Sequence, residues 1–161
     1  GGLDVVVNNA AASHPGEIHR AKPEEIAHLF AVNGAAPAAI VSAAWPSLVS
    51  AAGKRGRATI VNISSMATVD PFPNLYAYAA SKAGLNVMAL SAHNAGKAHG
   101  IRAFAVAPGA VETAMLRTVA SERYLPTSRT LTPESVAAVV LKCVKGEMDG
   151  RSGETILLPS P

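Results

Sequence analysis

The period of the hydrophobic positions changes along the chain, and the changes predict strands alternating with helices. Leu3 to Val7 is short, with Val5, Val6 and Val7 β-branched at consecutive positions, which predicts a strand covered on both faces, as in a parallel sheet. It ends in Asn8-Asn9. A polar loop containing Pro15-Gly16 leads to Pro23-Glu24-Glu25, where a first-turn proline and two acids predict a helix start. Ile26, Leu29, Phe30 and Asn33 follow at helical spacing. That helix is expected to run to about Ala52, bent at Pro37 and Pro46, before the basic turn from Lys54 to Arg57.

Thr59 to Ile63 reads as a second buried strand, followed by Ser64-Ser65 and a proline-containing loop. Leu75 to about Ala98 is alanine-rich without proline, and Leu85, Met88 and Ala92 share a face, so a long helix is predicted. Ile101 to Val106 is a third strand, ended by Pro108-Gly109. The stretch from about Ala114 to Arg129 is polar and lacks a clear period. It reads as a mobile loop or a short helix over a site mouth. Thr132-Pro133-Glu134 caps a helix that runs to about Lys145 and stops at Gly146, and Thr155 to Leu158 is the last strand. The expected fold class is α/β, a parallel sheet with helices on both faces.

Composition narrows the function. The 161 residues are 49% hydrophobic and 16% charged, outside the disordered class. The length fits one domain, and no apolar run approaches the roughly 18 residues of a bilayer span, so no membrane association is expected. Lys and Arg number 14 against 11 Asp and Glu, and the longest basic block is Lys54-Arg55-Gly56-Arg57. With aromatics at 4%, neither a phosphate-tracking stripe nor a base-stacking platform is present, so nucleic acid is not an expected partner. The single Cys143 has no intramolecular disulfide partner, and the start lacks the pattern of a secretory signal, so a cytoplasmic location is expected. Cys143 shares a helical face with Val136, Val140 and Val144, which predicts a core position. His14, His19, His28, His93 and His99 lack metal-ligand spacing; they are expected at the surface, and no metal site is expected.

Tyr78 and Lys82 lie four apart on the long helix, which brings their Cβ atoms within about 5–6 Å. A nearby ammonium favours the phenolate, so the pair would make the phenol a usable acid or base near neutral pH. The plainer alternative is a surface tyrosine beside a solvated lysine. Ser65 lies at the C-terminal end of a strand, where open α/β sheets place ligands. It could equally close a strand-to-loop turn. Pro37 has no N–H to give the carbonyl four residues earlier, which leaves the Asn33 C=O available to water or a polar group.

These residues together resemble the classical short-chain dehydrogenase/reductase family. The resemblance rests on Gly1-x-Leu3-Asp4 leading into Val5-Val6-Val7-Asn8-Asn9-Ala10, on Asn33, on Asn62-Ile63-Ser64-Ser65, on Tyr78-x-x-x-Lys82, and on Pro108-Gly109-x-Val111-x-Thr113. It implies a three-layer Rossmann-like sheet and hydride transfer between NAD or NADP and a small carbonyl or alcohol substrate. By that resemblance Tyr78 is the general acid/base, and Ser65 orients the substrate oxygen. Lys82 would lower the tyrosine pKa and bind the nicotinamide ribose, with the Asn33 carbonyl holding a water that links Lys82 to solvent. Asn9 and Ala10 would line the cofactor groove, and Pro108, Gly109, Val111 and Thr113 would clasp the nicotinamide end. Family members pair through their two long helices, here 23–52 and 75–98, which implies a homodimer or homotetramer.

The sequence departs from the family pattern at Ala11, Thr68 and Ala107, where Gly, Gly and Asn are frequent. A larger departure is the lack of T-G-x-x-x-G-x-G, the turn that presents backbone N–H groups to a pyrophosphate. The first residues match the family's fourth strand, so the first βαβαβ half, roughly 80 residues, is expected to be missing, and residues 1–161 to be the C-terminal catalytic part of a single domain. Leu3 to Val7 would then be an exposed apolar edge. Three readings follow: an oxidoreductase, a truncated non-catalytic remnant serving as an interaction or dimerisation module, and a member of the extended branch that acts on nucleotide sugars. The last is disfavoured, because only three residues follow the final strand.

Overall fold

In the computed structural model, which describes residues 2–161, β1 (Val5–Asn8), β2 (Ala58–Ile63), β3 (Ile101–Pro108) and β4 (Thr155–Leu158) form one parallel sheet in sequence order. Gly1, part of the motif at the start of the chain, lies outside the described residues. The register pairs Val6 with Ile60, Val61 with Phe104 and Val106 with Ile156. Because every strand runs the same way, all four C-terminal ends open onto one edge of the sheet.

The helices cover the two faces with separate cores. On one face Val6, Ala58, Ile60, Ile101 and Ala103 pack with Ala44, Leu48 and Ala52. On the other, Val61, Phe104, Val106 and Ile156 pack with Val136 and Cys143, so Cys143 is a core residue as expected. Burial holds its thiol at about 11, which keeps it protonated. The central strands are buried on both sides, but β1 is not. The helix α5 (Pro133–Lys145) packs over β2 and β3, and Val7 remains 44% exposed. The expected two-sided burial of β1 therefore holds only for the side bearing Val6 and Asn8.

The expected helix over 23–52 is three pieces in one continuous run. α1 (Pro23–Phe30) gives way to a π-helical turn, Ala31–Ala35, and α2 (Ala36–Arg55) continues to Gly56, whose left-handed φ of 82° stops it. The π turn precedes Pro37, and the Ala36 N–H reaches back to the Ala31 carbonyl, so the helix widens rather than breaks where proline removes a donor. By length and composition alone, the run Pro23–Arg55 contains an 18-residue stretch apolar enough to cross a bilayer, with a mean hydropathy of 1.5. Here it packs on the sheet through Ala44, Leu48 and Ala52.

α3 (Tyr76–Gly96) is the predicted long helix, and a 3-10 turn, Lys97–His99, follows it. The polar stretch after β3 holds a short helix, α4 (Ala114–Val119), capped by the Thr113 side chain, and a 3-10 turn at Thr127–Arg129. Four histidines are exposed as expected; His93 is partly buried, and its Nδ1 lies 2.8 Å from Ser152 Oγ.

Candidate active site

The strand ends are tied to α3 by a ladder of side chains. Asn8 Nδ2 donates to Asn62 Oδ1 at 2.8 Å, and Asn62 Nδ2 donates to the Leu85 carbonyl at 3.3 Å, joining β1, β2 and α3. Beyond β2, Ser64 N–H donates to the Val106 carbonyl at 2.7 Å and its hydroxyl donates to the Lys82 carbonyl at 3.3 Å. Both Asn62 and Ser64 are buried, so these bonds satisfy groups that would otherwise be costly.

Ser65 follows in extended backbone and caps a 3-10 turn, its Oγ accepting from Ala67 N–H at 3.1 Å. The turn-closing role that the sequence left open is therefore real. It coexists with a second relationship, because the Ser65 side chain also faces Tyr78 closely enough to lower its pKa. Thr68, a departure from the family pattern, donates to the Ser65 carbonyl at 2.8 Å and accepts from Asn86 Nδ2 at 3.1 Å. The hydroxyl that replaces a glycine thus braces the Ser65 turn against α3.

Tyr78 is half-buried in the first turn of α3, and Lys82 one turn later is 2% exposed. Lys82 Nζ lies 6.0 Å from the Tyr78 ring centroid and donates to the Ile63 carbonyl at 2.7 Å. Burial pushes the Tyr78 pKa above 10.0, against a lowering by the Ser65 side chain. Burial also pulls Lys82 down to about 8. The sequence expected a lysine that depresses the tyrosine. Instead desolvation dominates both groups, because the ammonium turns toward a strand-end carbonyl rather than the phenol oxygen.

Asn33 is fully buried in the π turn, and its side chain is more informative than its backbone carbonyl. Its Oδ1 accepts from Ala12 N–H, and its Nδ2 donates to the Ala12 carbonyl and to Ser81 Oγ, each at 2.9 Å. Ser81 donates in turn to the Tyr78 carbonyl at 2.8 Å. Asn33 thereby joins the loop after β1 to the backbone that carries Tyr78. Ser81 and Ala12 were missed in the sequence. The signal for Ser81 was a hydroxyl amid alanines, next to Lys82.

The remaining expected residues lie at neighbouring strand ends. Asn9 and Ala10 follow β1 and are exposed. Pro108 ends β3 and is buried; Gly109 N–H donates to the Leu158 carbonyl at 2.8 Å. A Cβ on Gly109 would lie 2.8 Å from Ser160 Oγ and 2.9 Å from its nitrogen, so only glycine fits there. Val111 pairs with Leu131, and Thr113 is exposed at the start of α4. Ser65, Tyr78, Lys82 and Asn33 are brought together by direct or shared contacts. The other six surround them by topology alone. Among the described residues, no group of three or more His, Cys, Asp or Glu side chains is arranged to hold a metal ion.

The family model described as short chain dehydrogenase matches residues 1–124. The chain belongs to the short-chain dehydrogenase family. It is 32% identical over 163 residues to the 3-oxoacyl-(acyl-carrier-protein) reductase FabG of Thermotoga maritima, covering 97% of this chain and 64% of that relative. It is 27% identical to 3beta-hydroxysteroid dehydrogenase 1 of Eggerthella lenta, covering 98% of this chain and 62% of the relative. Among solved short-chain dehydrogenases, the 3-ketoacyl-(acyl-carrier-protein) reductase of Brucella melitensis complexed with NADH superposes with a TM-score of 0.87 at 26% identity, over 97% of this chain and 65% of that one. The landomycin C-6 ketoreductase LanV with bound NADP and rabelomycin gives 0.80 at 26% identity, over 97% and 60%. The chain thus spans less than two thirds of the length of these relatives.

Proposed function

We propose that the whole protein is an NAD- or NADP-dependent oxidoreductase acting on a carbonyl or secondary alcohol, with Tyr78 as its acid and base. The observation that carries this reading is the cluster of Ser65, Tyr78 and buried Lys82 at the C-terminal ends of the strands. The names of the relatives support it, since a 3-oxoacyl reductase, a hydroxysteroid dehydrogenase and an acetoacetyl-CoA reductase all concern carbonyl and alcohol pairs.

The donor set fits a nicotinamide riboside. An ammonium has three N–H donors, and Lys82 gives one to Ile63, leaving two suited to ribose hydroxyls. Asn9, Ala10, Pro108, Gly109, Val111 and Thr113 would hold the rest of that end of the cofactor from the flanking strand ends. When bound, the nicotinamide supplies or accepts the hydride. Tyr78, protonated at neutral pH because burial raises its pKa, gives its hydroxyl proton to the carbonyl oxygen during reduction. Ser65 donates to the same oxygen and holds it against Tyr78. Asn33 anchors the Tyr78 backbone through Ser81. In the oxidative direction the Tyr78 phenolate, the form left after reduction, takes the alcohol proton.

The same reading includes a homodimer or homotetramer formed through helices 23–52 and 75–98. It is supported by the apolar side chains these helices leave exposed, among them Phe30, Ile40, Val87 and Leu90. Titrating the complete protein with NADH and NADPH, followed by nicotinamide fluorescence, tests the function. Binding at micromolar concentration is expected. No binding of either nucleotide would overturn the reading in favour of a non-catalytic interaction module.

A further inference from the structure

The segment between β3 and α5 is closed by a neck and an internal ion pair. At the neck, Leu131 N–H donates to the Ala110 carbonyl at 2.8 Å, and Glu112 N–H donates to the Leu131 carbonyl at 2.9 Å. Within the segment, Arg117 Nε donates to Glu112 Oε1 at 2.8 Å and its Nη2 donates to Oε2, a bidentate pair. The third nitrogen, Nη1, donates to the carbonyls of Leu125 at 2.8 Å and Ala120 at 3.3 Å. Thr130, itself buried, places Oγ1 3.3 Å from Glu112 Oε2. One guanidinium therefore gathers α4, the loop after it and the neck.

The pair lies beside two candidate cofactor contacts. Glu112 lies between Val111, held in the bridge to Leu131, and Thr113, extended before α4. Thr113 is fixed in addition by donating to the Val111 carbonyl at 3.2 Å and accepting from Leu116 N–H at 3.2 Å. With its carboxylate pinned to Arg117, Glu112 fixes the backbone course from Val111 to Thr113. The side chains of Arg117 and Glu112 are only 24% and 33% exposed, so the pair is less screened than an open surface bridge.

We propose that Glu112 and Arg117 are positioning residues: their ion pair holds Val111 and Thr113 toward the Tyr78 site, so that cofactor binding depends on it and proton transfer at Tyr78 does not. This rests on the oxidoreductase reading. The segment is preassembled before the nucleotide binds, and the ordering cost is met during folding. A lysine at position 117 keeps the charge but loses the planar fork, so it holds only part of the arrangement.

The test uses the complete protein with Arg117→Gln, Arg117→Lys, Glu112→Gln and the double Gln variant, read by steady-state kinetics and by amide hydrogen exchange. Arg117→Gln is expected to raise the KM for the nicotinamide about tenfold with kcat within about twofold, and to speed exchange over residues 114–130. Arg117→Lys should recover part of both effects, and the double variant should be no worse than either single. Unchanged exchange over 114–130, an unchanged KM, or a fall in kcat equal to the fall in kcat/KM would overturn the proposal. Failure of the unsubstituted protein to bind any nicotinamide would instead overturn the oxidoreductase reading, and exchange would still decide whether the pair holds the segment.

Discussion

Lys82 donates to the carbonyl of Ile63 at 2.7 Å, and this bond joins the end of β2 to α3 beneath the Tyr78 ring. It satisfies a strand-end acceptor inside the protein, yet it holds an ammonium where burial lowers the pKa to about 8 from an ordinary 10.5. Folding therefore favours the neutral amine. Between those two values the unfolded chain binds more protons, so stability rises with pH across that window. Below about pH 8 the full penalty applies, on the order of 3 kcal/mol.

Replacing this lysine should accordingly stabilise the fold while removing function. Lys82→Met keeps the length and apolar stem but leaves the Ile63 carbonyl without its donor, which costs about 1 kcal/mol. A net gain of about 2 kcal/mol at neutral pH is expected, measured by urea denaturation. Turnover should be lost. A Met variant less stable than the parent protein would show that the buried charge is not a burden.

The same titration shapes the rate of carbonyl reduction. Tyr78 lies above its ordinary pKa and stays protonated through neutrality, so the falling limb belongs to Lys82. The expected profile of kcat/KM for reduction is flat below about pH 8 and declines above it. Lys82→Arg, permanently charged, should move that decline upward. A rate that climbs through pH 8 would contradict this assignment.

Asn33 is fully buried and satisfies both backbone groups of Ala12 as well as Ser81. Asn33→Ala strands those partners and should destabilise the protein by about 2–3 kcal/mol. Asn33→Asp is expected to be worse, since it points a second acceptor at the Ala12 carbonyl and buries a charge. Equilibrium denaturation of both variants checks the order. A cost below about 1 kcal/mol for Asn33→Ala would refute the anchoring role.

Gly96 ends α3 where a Cβ would sit 2.7 Å from Ile101 Cβ and 3.2 Å from the Trp45 ring. Gly96→Ala should therefore destabilise by about 1–3 kcal/mol through overpacking, although alanine is the better helix former. Thermal unfolding measures it, and a stabilised variant would contradict the packing described here.

The fold was legible because its signals are local. Three consecutive β-branched residues in Val5 to Val7, the proline and acids at 23–25, and Thr132-Pro133-Glu134 each describe their own element, and the structure follows them closely. Long-range facts were less legible. Nothing near Val7 in sequence tells that α5 stops short of β1, and nothing near Asn33 tells that its amide reaches Ala12 and Ser81 across the fold. The Tyr78 and Lys82 spacing was readable, but the direction of their pKa shifts was not. Desolvation depends on what surrounds a group, and spacing along a helix carries none of that.

The central claim is that Tyr78 moves the proton, and one substitution tests it most directly. Tyr78→Phe in the complete protein should remove turnover of NADH or NADPH with a carbonyl substrate, while nucleotide binding measured by fluorescence stays within about twofold of the parent protein. A Phe variant that reduces carbonyls at the parent rate would contradict the account.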